Sequence, residues 1–431
     1  ARAEGPAGRA DPVTRPLAYL LVATVFVDVH ASAAAELPVH GFLQAASAYR
    51  MIRPDSCPRT QRLACEEDFV LGEGRARLEL SPRGERWAFL ARAELITDAV
   101  GGRVDAELRE GYLDLKFPAL DLRMGRQVVT WGVGDLVFIN DVFPKDWVAF
   151  ISGLPLEYLK KGSDAVNATG HWGGTSLQLV LIPRFEADTL PEAGGRLAFH
   201  DPMAAIEHRR TDEPSPALDR IEAGLRLFRN VLGWDLSLYA YRGFFHAPAG
   251  EVEPGPRLRL FFPPLDVYGA SAQGAALGGV VSVEAGYYDS RADRSGLNPA
   301  VENSSVRLLG GYQRELVPDL TASGQYYVQV MGDHAEYRET RGAGMAKRAA
   351  ARHVLTLRLT QLLLHQTLRL GVFVLASPNE GDWYLGPEAR YQITDALSAT
   401  LGVNAFGGPR RTEYAQFEGN SNLYVVVRYA F

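Results

Sequence analysis

The 431-residue chain carries 45 lysines and arginines against 51 aspartates and glutamates, a formal net charge of -6, with 47% hydrophobic residues and a mean hydropathy of -0.10. Beyond the N-terminal region no apolar run approaches the roughly 18 residues that a membrane helix needs, so a helical membrane bundle is excluded. Lysine is confined to Lys116, Lys145, Lys160, Lys161 and Lys347, which leaves no polybasic segment and hence no nucleic-acid partner.

Residues 1–16 contain Arg2, Arg9 and Arg15, an apolar stretch of about 11 residues runs from Leu17 to Val27, and small residues fill Ala31 to Ala35. That order is the pattern of a secretory signal peptide, so residues 1–35 are expected to be a signal peptide with an N-terminal extension, cleaved after Ala35. An exported chain meets an oxidising compartment. The two cysteines, Cys57 and Cys65, lie in one Pro- and Arg-rich loop, and a disulfide between them is expected. The loop has no histidine, which argues against a metal site of about four ligands.

From residue 39 onward, segments of about 10–14 residues alternate apolar and polar positions, the period-two signature of strands with one lipid face and one watery face. In 69–80, Val70, Gly72, Gly74, Ala76, Leu78 and Leu80 form one face, and Glu73, Arg75, Arg77 and Glu79 the other. Each of those charges would cost about 2–4 kcal/mol at the bilayer midplane, so they must face water or one another. The same pattern predicts strands at 39–51, 68–80, 86–97, 106–117, 121–131, 164–173, 175–185, 217–229, 233–245, 264–274, 279–290, 303–315, 319–331, 350–362, 366–376, 382–393, 396–406 and 421–431. Connections alternate between tight turns, such as Gly173 to Gly174 and Val317 to Pro318, and mostly longer loops. Short periplasmic turns and long extracellular loops are what an outer-membrane barrel requires. The expected fold is therefore an all-β, transmembrane, antiparallel up-and-down β-barrel of about 18 strands over residues 36–431. Trp87, Trp172, Trp234, Tyr287, Tyr312, Trp383, Tyr429 and Phe431 fall near strand ends, as interfacial girdles do.

In the last segment Leu423, Val425, Val427, Tyr429 and Phe431 share one face, and Asn422, Tyr424 and Arg428 the other. A final strand ending in Phe431 resembles the assembly signal of Gram-negative outer-membrane proteins, which implies recognition by the barrel-assembly machinery. A second resemblance rests on residues 107–115 (Glu107 to Leu115), 124–132 (Met124 to Gly132) and 141–146 (Asp141 to Asp146). These look like the porin-like families related to phosphate-selective porins and alginate exporters. The resemblance implies a bacterial outer-membrane location and says little about a substrate.

Residues 132–163 hold Leu136, Val137, Phe138, Ile139, Val142, Phe143, Trp147, Val148, Phe150, Ile151 and Leu154, too apolar a set to stand in water. Packing into the lumen as a constriction loop, as third loops of porins do, would place Asp135, Asp141, Lys145 and Asp146 near the narrowest point; packing on the outer rim or a neighbouring subunit is the alternative. Lumen-lining positions are expected to include Arg75, Arg77, Arg92, Glu94, Arg123, Arg226, Arg358 and Arg390. The wider inward set adds Arg220, Arg307, Arg352, Arg369 and Arg428 against Glu73, Glu79, Glu110, Asp114, Asp121, Asp219, Glu222, Asp235, Glu284 and Glu388. The two signs nearly cancel, so arginine–carboxylate ladders and weak ion selectivity are expected.

The sequence has no G-x-S-x-G, H-E-x-x-H, P-loop or C-x-x-C-H motif, and no enzyme activity, metal or cofactor is expected; His200 and His208 beside Asp201 and Glu207 are read as solvated loop residues. Together these features point to a porin-like channel for passive diffusion of small polar or ionic solutes. An export conduit for a polysaccharide or other polymer, and a structural barrel holding a periplasmic or surface protein, are the alternatives. Outer-membrane lipid and lipopolysaccharide are the expected surroundings, with a homo-oligomer as one possible assembly.

Overall fold

The computed structural model describes residues 39–431 apart from 54–63, 65, 256, 343, 344 and 346. The expected signal peptide (1–35) and the expected Cys57–Cys65 disulfide lie outside the described residues. In chain order the strands are β1 (Val39–Arg50), β2 (Phe69–Leu80), β3 (Trp87–Asp98), β4 (Arg103–Phe117), β5 (Leu120–Gln127), β6 (Ser163–Trp172), β7 (Thr175–Ile182), β8 (His208–Asp212), β9 (Glu222–Val231), β10 (Trp234–Phe244), β11 (Ala249–Glu253), β12 (Arg257–Phe261), β13 (Pro264–Ala276), β14 (Gly279–Ser290), β15 (Ser305–Val317), β16 (Leu320–Met331), β17 (Ala351–Leu363), β18 (Leu368–Ala376), β19 (Trp383–Gln392), β20 (Leu397–Gly407) and β21 (Asn422–Ala430). Eighteen of them form one sheet in which each strand pairs antiparallel with the next, and β21 pairs with β1. The sheet is therefore a closed barrel without edges, the form in which every strand can satisfy its backbone in lipid.

Alternation along the strands sets the two faces. In β1, Phe42, Gln44, Ala46, Ala48 and Arg50 are buried, while Leu43 is 55% and Tyr49 50% exposed. Large apolar residues exposed to this extent on strand after strand, Leu78, Leu238, Leu355 and Leu401 among them, form the surface that hydrocarbon covers. One end of the barrel carries tight connections, at 118–119, 173–174, 232–233, 277–278 and 318–319. Gly173 and Gly174 both have positive φ, 53° and 78°, the geometry of a two-residue hairpin whose twist matches its strands. The opposite end carries the long segments 128–162, 183–221 and 245–263, with short exceptions at 99–102 and 377–382.

Three readings of the sequence need correction. Val70 is fully buried instead of facing lipid, because the register between β1 and β2 shifts at Ala48/Tyr49 and a bulge there reverses the alternation. Asp219 and Arg220 are not on the wall: Leu218–Arg220 is a single 3-10 turn and the strand starts at Glu222. Finally, β8, β11 and β12 form a separate three-stranded sheet within the long loops, β8 running parallel to β12. Its five-residue, charge-rich strands carry too few alternations to register as a pattern.

Candidate functional site: the lumen and the segment that crosses it

The chain leaves the wall at Gln127, which is 1% exposed and donates from Nε2 to the Ala165 carbonyl at 3.0 Å. From there residues 128–162 pack against inward-facing side chains of several wall strands. Val129, Trp131 and Phe143 pack on Ala165, Val180, Ile182 and Tyr239 of β6, β7 and β10, and Trp131 Nε1 donates to Gln178 Oε1 at 2.9 Å. Burying this much apolar surface accounts for the composition of the segment.

On β14, two strands along the wall from β10, one carboxylate anchors the segment. Glu284 of β14, 3% exposed, accepts from the backbone N–H of Val133 (2.8 Å), Gly134 (3.1 Å) and Asn140 (2.8 Å) and from Asn140 Nδ2 (2.9 Å). Four donors on one ion satisfy a charge that would otherwise be costly to bury. Beside it Gly269 and Gly286 face each other across β13 and β14. A Cβ at Gly269 would overlap Asn140 Oδ1, and one at Gly286 would lie 2.6 Å from Ile139 Cγ2. The paired glycines are a notch into which the segment fits, and Tyr288 closes it by donating to the Ile139 carbonyl at 2.5 Å.

Helix α1 (Trp147–Ser152) lies against β18 to β21. Ile151 and Phe150 pack with Phe373, Tyr384, Phe406 and Tyr424, and Asn422 Nδ2 donates to the Ile151 carbonyl at 2.9 Å. Asp146 caps the helix, accepting from the Ala149 N–H at 2.8 Å. Burial pushes its carboxyl up to about 6, against the opposing pull of that hydrogen bond and of Lys161. A 3-10 turn, Leu156–Leu159, ends the crossing. There burial opposes ionisation of Glu157, yet the guanidiniums of Arg428, Arg77 and Arg109 hold its carboxyl below the usual glutamate range.

The four residues expected at the constriction do not share one place. Lys145 Nζ reaches Asp141 Oδ1 at 3.1 Å, Lys160 Nζ reaches Asp141 Oδ2 at 2.9 Å, and Asp141 and Lys145 are 5% and 4% exposed. That network is internal to the segment. Asp135 instead meets Arg358 of β17 in a two-point contact of 2.5 and 2.9 Å, and Asp146 serves α1. Leu136, Phe150 and Glu157 of the segment and Arg358, Glu388 and Arg428 of the wall belong to the lining of a cavity of ≈ 270 Å³; none of the four expected residues lines it.

The expected lumen residues divide by wall. On β2 to β5, Arg75 bonds Glu73 (2.8 Å) and Glu94, Arg77 bonds Glu94 (2.6 Å), Arg92 bonds Glu79 (2.7 Å) and Glu110 (2.5 Å), and Arg123 bonds Asp114 (2.7 Å). Such a ladder neutralises itself. Arg226 stands on Ser237 and over the Phe228 ring at 4.6 Å. Arg390 and Arg369 are direct cross-strand neighbours on β19 and β18, both exposed to the cavity, and among the described residues no ion pair or hydrogen bond engages either one. Sequence reasoning placed Glu284 on the inner face without seeing its role, because its partners come from a segment whose path alternation does not reveal. The one available signal was the inward glycine at the same level of two adjacent strands.

No protein-family model and no curated protein sequence matches the chain. Among solved structures it is similar to OccK11 (OpdR) of Pseudomonas aeruginosa, at 11% identity over 91% of this chain and 95% of that one with a TM-score of 0.51. It is also similar to OccAB3 of Acinetobacter baumannii, at 9% identity over 91% and 98% with a TM-score of 0.53. At these identities the likeness concerns the fold, a closed 18-stranded antiparallel barrel.

Proposed function

We propose that the protein is an outer-membrane, porin-like channel through which small polar or ionic solutes diffuse passively, narrowed by residues 128–162. The supporting observation is a closed wall with an apolar outside and a charged inside, crossed by a segment moored to both sides. A lumen lined by ions needs water to solvate what is not paired, and a water-filled lumen conducts. Ion selectivity is weak on this reading, because the ladder from Arg75 to Arg123 presents little net charge to a passing ion. Phe431, whose N–H and C=O pair with Gly41, carries the assembly signal. Reconstitution in planar bilayers with a potassium chloride gradient tests the reading. Steady single-channel currents with a reversal potential near zero are expected; an absence of conductance from a correctly folded barrel overturns it.

A further inference from the structure

The closing seam of the barrel lies between β21 and β1, with β2 on the other side of β1. β1 and β21 share nine paired positions, against eleven between β1 and β2. This closing pair also joins the two ends of the described chain, so its formation carries the largest loop-closure cost in the sheet. Inside the seam Phe42 of β1 is buried, with Arg77 of β2 over its ring at 4.6 Å and Arg428 of β21 at 4.2 Å. Cations from the strands on both sides thus flank one aromatic ring. Each gains from the ring face, but the two repel each other unless an anion stands between them.

Glu157 is that anion, and it comes from the inner segment rather than from the wall. Arg428 donates to its Oε1 at 2.5 Å and Arg77 to its Oε2 at 3.3 Å. The bridge is braced from both directions. Gln44 Oε1 accepts from Arg428 at 2.9 and 2.6 Å, and Tyr158 accepts from Arg77 at 3.2 Å while lying under the Arg75 guanidinium at 4.1 Å. Slightly earlier in the same stretch, the Ile151 carbonyl holds Asn422 of β21.

We propose that Glu157 is a clasp: a carboxylate at the end of the inner segment that ties the last strand to the second strand across the first, so that docking of Glu157 and tightness of the β21–β1–β2 seam are coupled. This inference stands apart from conduction, since it concerns what holds the wall shut. A carboxylate that merely faced passing solute would leave the seam indifferent to its removal.

The test is hydrogen exchange of the backbone amides in lipid nanodiscs, comparing the native chain with Glu157→Gln, which keeps shape and hydrogen-bonding capacity but removes the charge. Exchange at 42–50 and 422–430 should accelerate by on the order of tenfold, with β13 to β15 unchanged. The double variant Glu157→Gln/Arg428→Gln removes the repulsion as well and should restore slow exchange, the coupling a mutant cycle isolates. If Glu157→Gln fails to fold, the same double variant should recover folded barrel, judged by heat-modifiable mobility on gels. Uniform acceleration around the barrel, no acceleration at the seam, or no rescue by Arg428→Gln would each overturn the clasp.

Discussion

Replacing Glu284 by alanine should loosen the inner segment at its β14 mooring while leaving the barrel intact. The carboxylate accepts four hydrogen bonds, three from backbone N–H groups of Val133, Gly134 and Asn140 and one from the Asn140 amide. A hydrogen bond to a charged group contributes about 1.5–3 kcal/mol. Asn140 Nδ2 keeps a second acceptor, the Ala285 carbonyl at 3.2 Å, and lumen water recovers part of the rest, so a net loss of about 4 kcal/mol is a fair lower figure. That shifts the ratio of seated to unseated segment roughly a thousandfold. Asp135 on Arg358, Trp131 on Gln178 and the α1 contacts remain, so the detachment is local, centred on 133–140. In single-channel recordings the variant should show a higher mean conductance and frequent steps between levels where the native channel is steady. Heat-modifiable gel mobility would verify that the wall still closes. Native-like conductance and native-like noise in a folded Glu284→Ala barrel would refute the reasoning.

Gly286→Val should reproduce that phenotype by a different route, since a side chain there collides with Ile139; current noise and conductance are the readout. Asp146→Asn keeps the helix cap but removes a carboxyl raised from 3.8 to about 6. A raised carboxyl binds its proton more tightly in the folded state, so its ionisation lowers stability as pH climbs from about 4 to 6. The asparagine variant should therefore be more stable by about 2–3 kcal/mol at pH 8 and indistinguishable at pH 3, measured as the midpoint of unfolding in detergent. Neutralising the unpaired Arg369 and Arg390 to glutamine should move the reversal potential in a salt gradient toward cation preference, raising the cation-to-anion permeability ratio roughly twofold. Removing a mutually neutralising pair whole, as in Arg123→Gln/Asp114→Asn, leaves the net charge unchanged and should do less.

The wall was legible because a strand with lipid on one side and water on the other must alternate, and the barrel strands do so over enough of their length to be found. Where alternation fails, the reading failed too. The bulge at Val70 reversed one strand end, and the short strands of the loop sheet never accumulate a pattern. The segment 128–162 announced only that it is buried. Eleven apolar side chains between Leu136 and Leu154 require a partner surface, yet nothing in their spacing names Glu284, the facing glycines of β13 and β14, or the Arg77 and Arg428 pair. Lys145 illustrates the limit. The resemblance to third loops of porins implied a charge near the narrowest point, whereas Lys145 and Asp141 bury each other.

Conductance of the native barrel against a variant lacking residues 136–156 is the most direct measurement of a channel narrowed from within. A several-fold rise in single-channel conductance on deletion, from a native value that is itself measurable, is the expected result. Equal conductance of the two folded barrels, or silence from both, would contradict it.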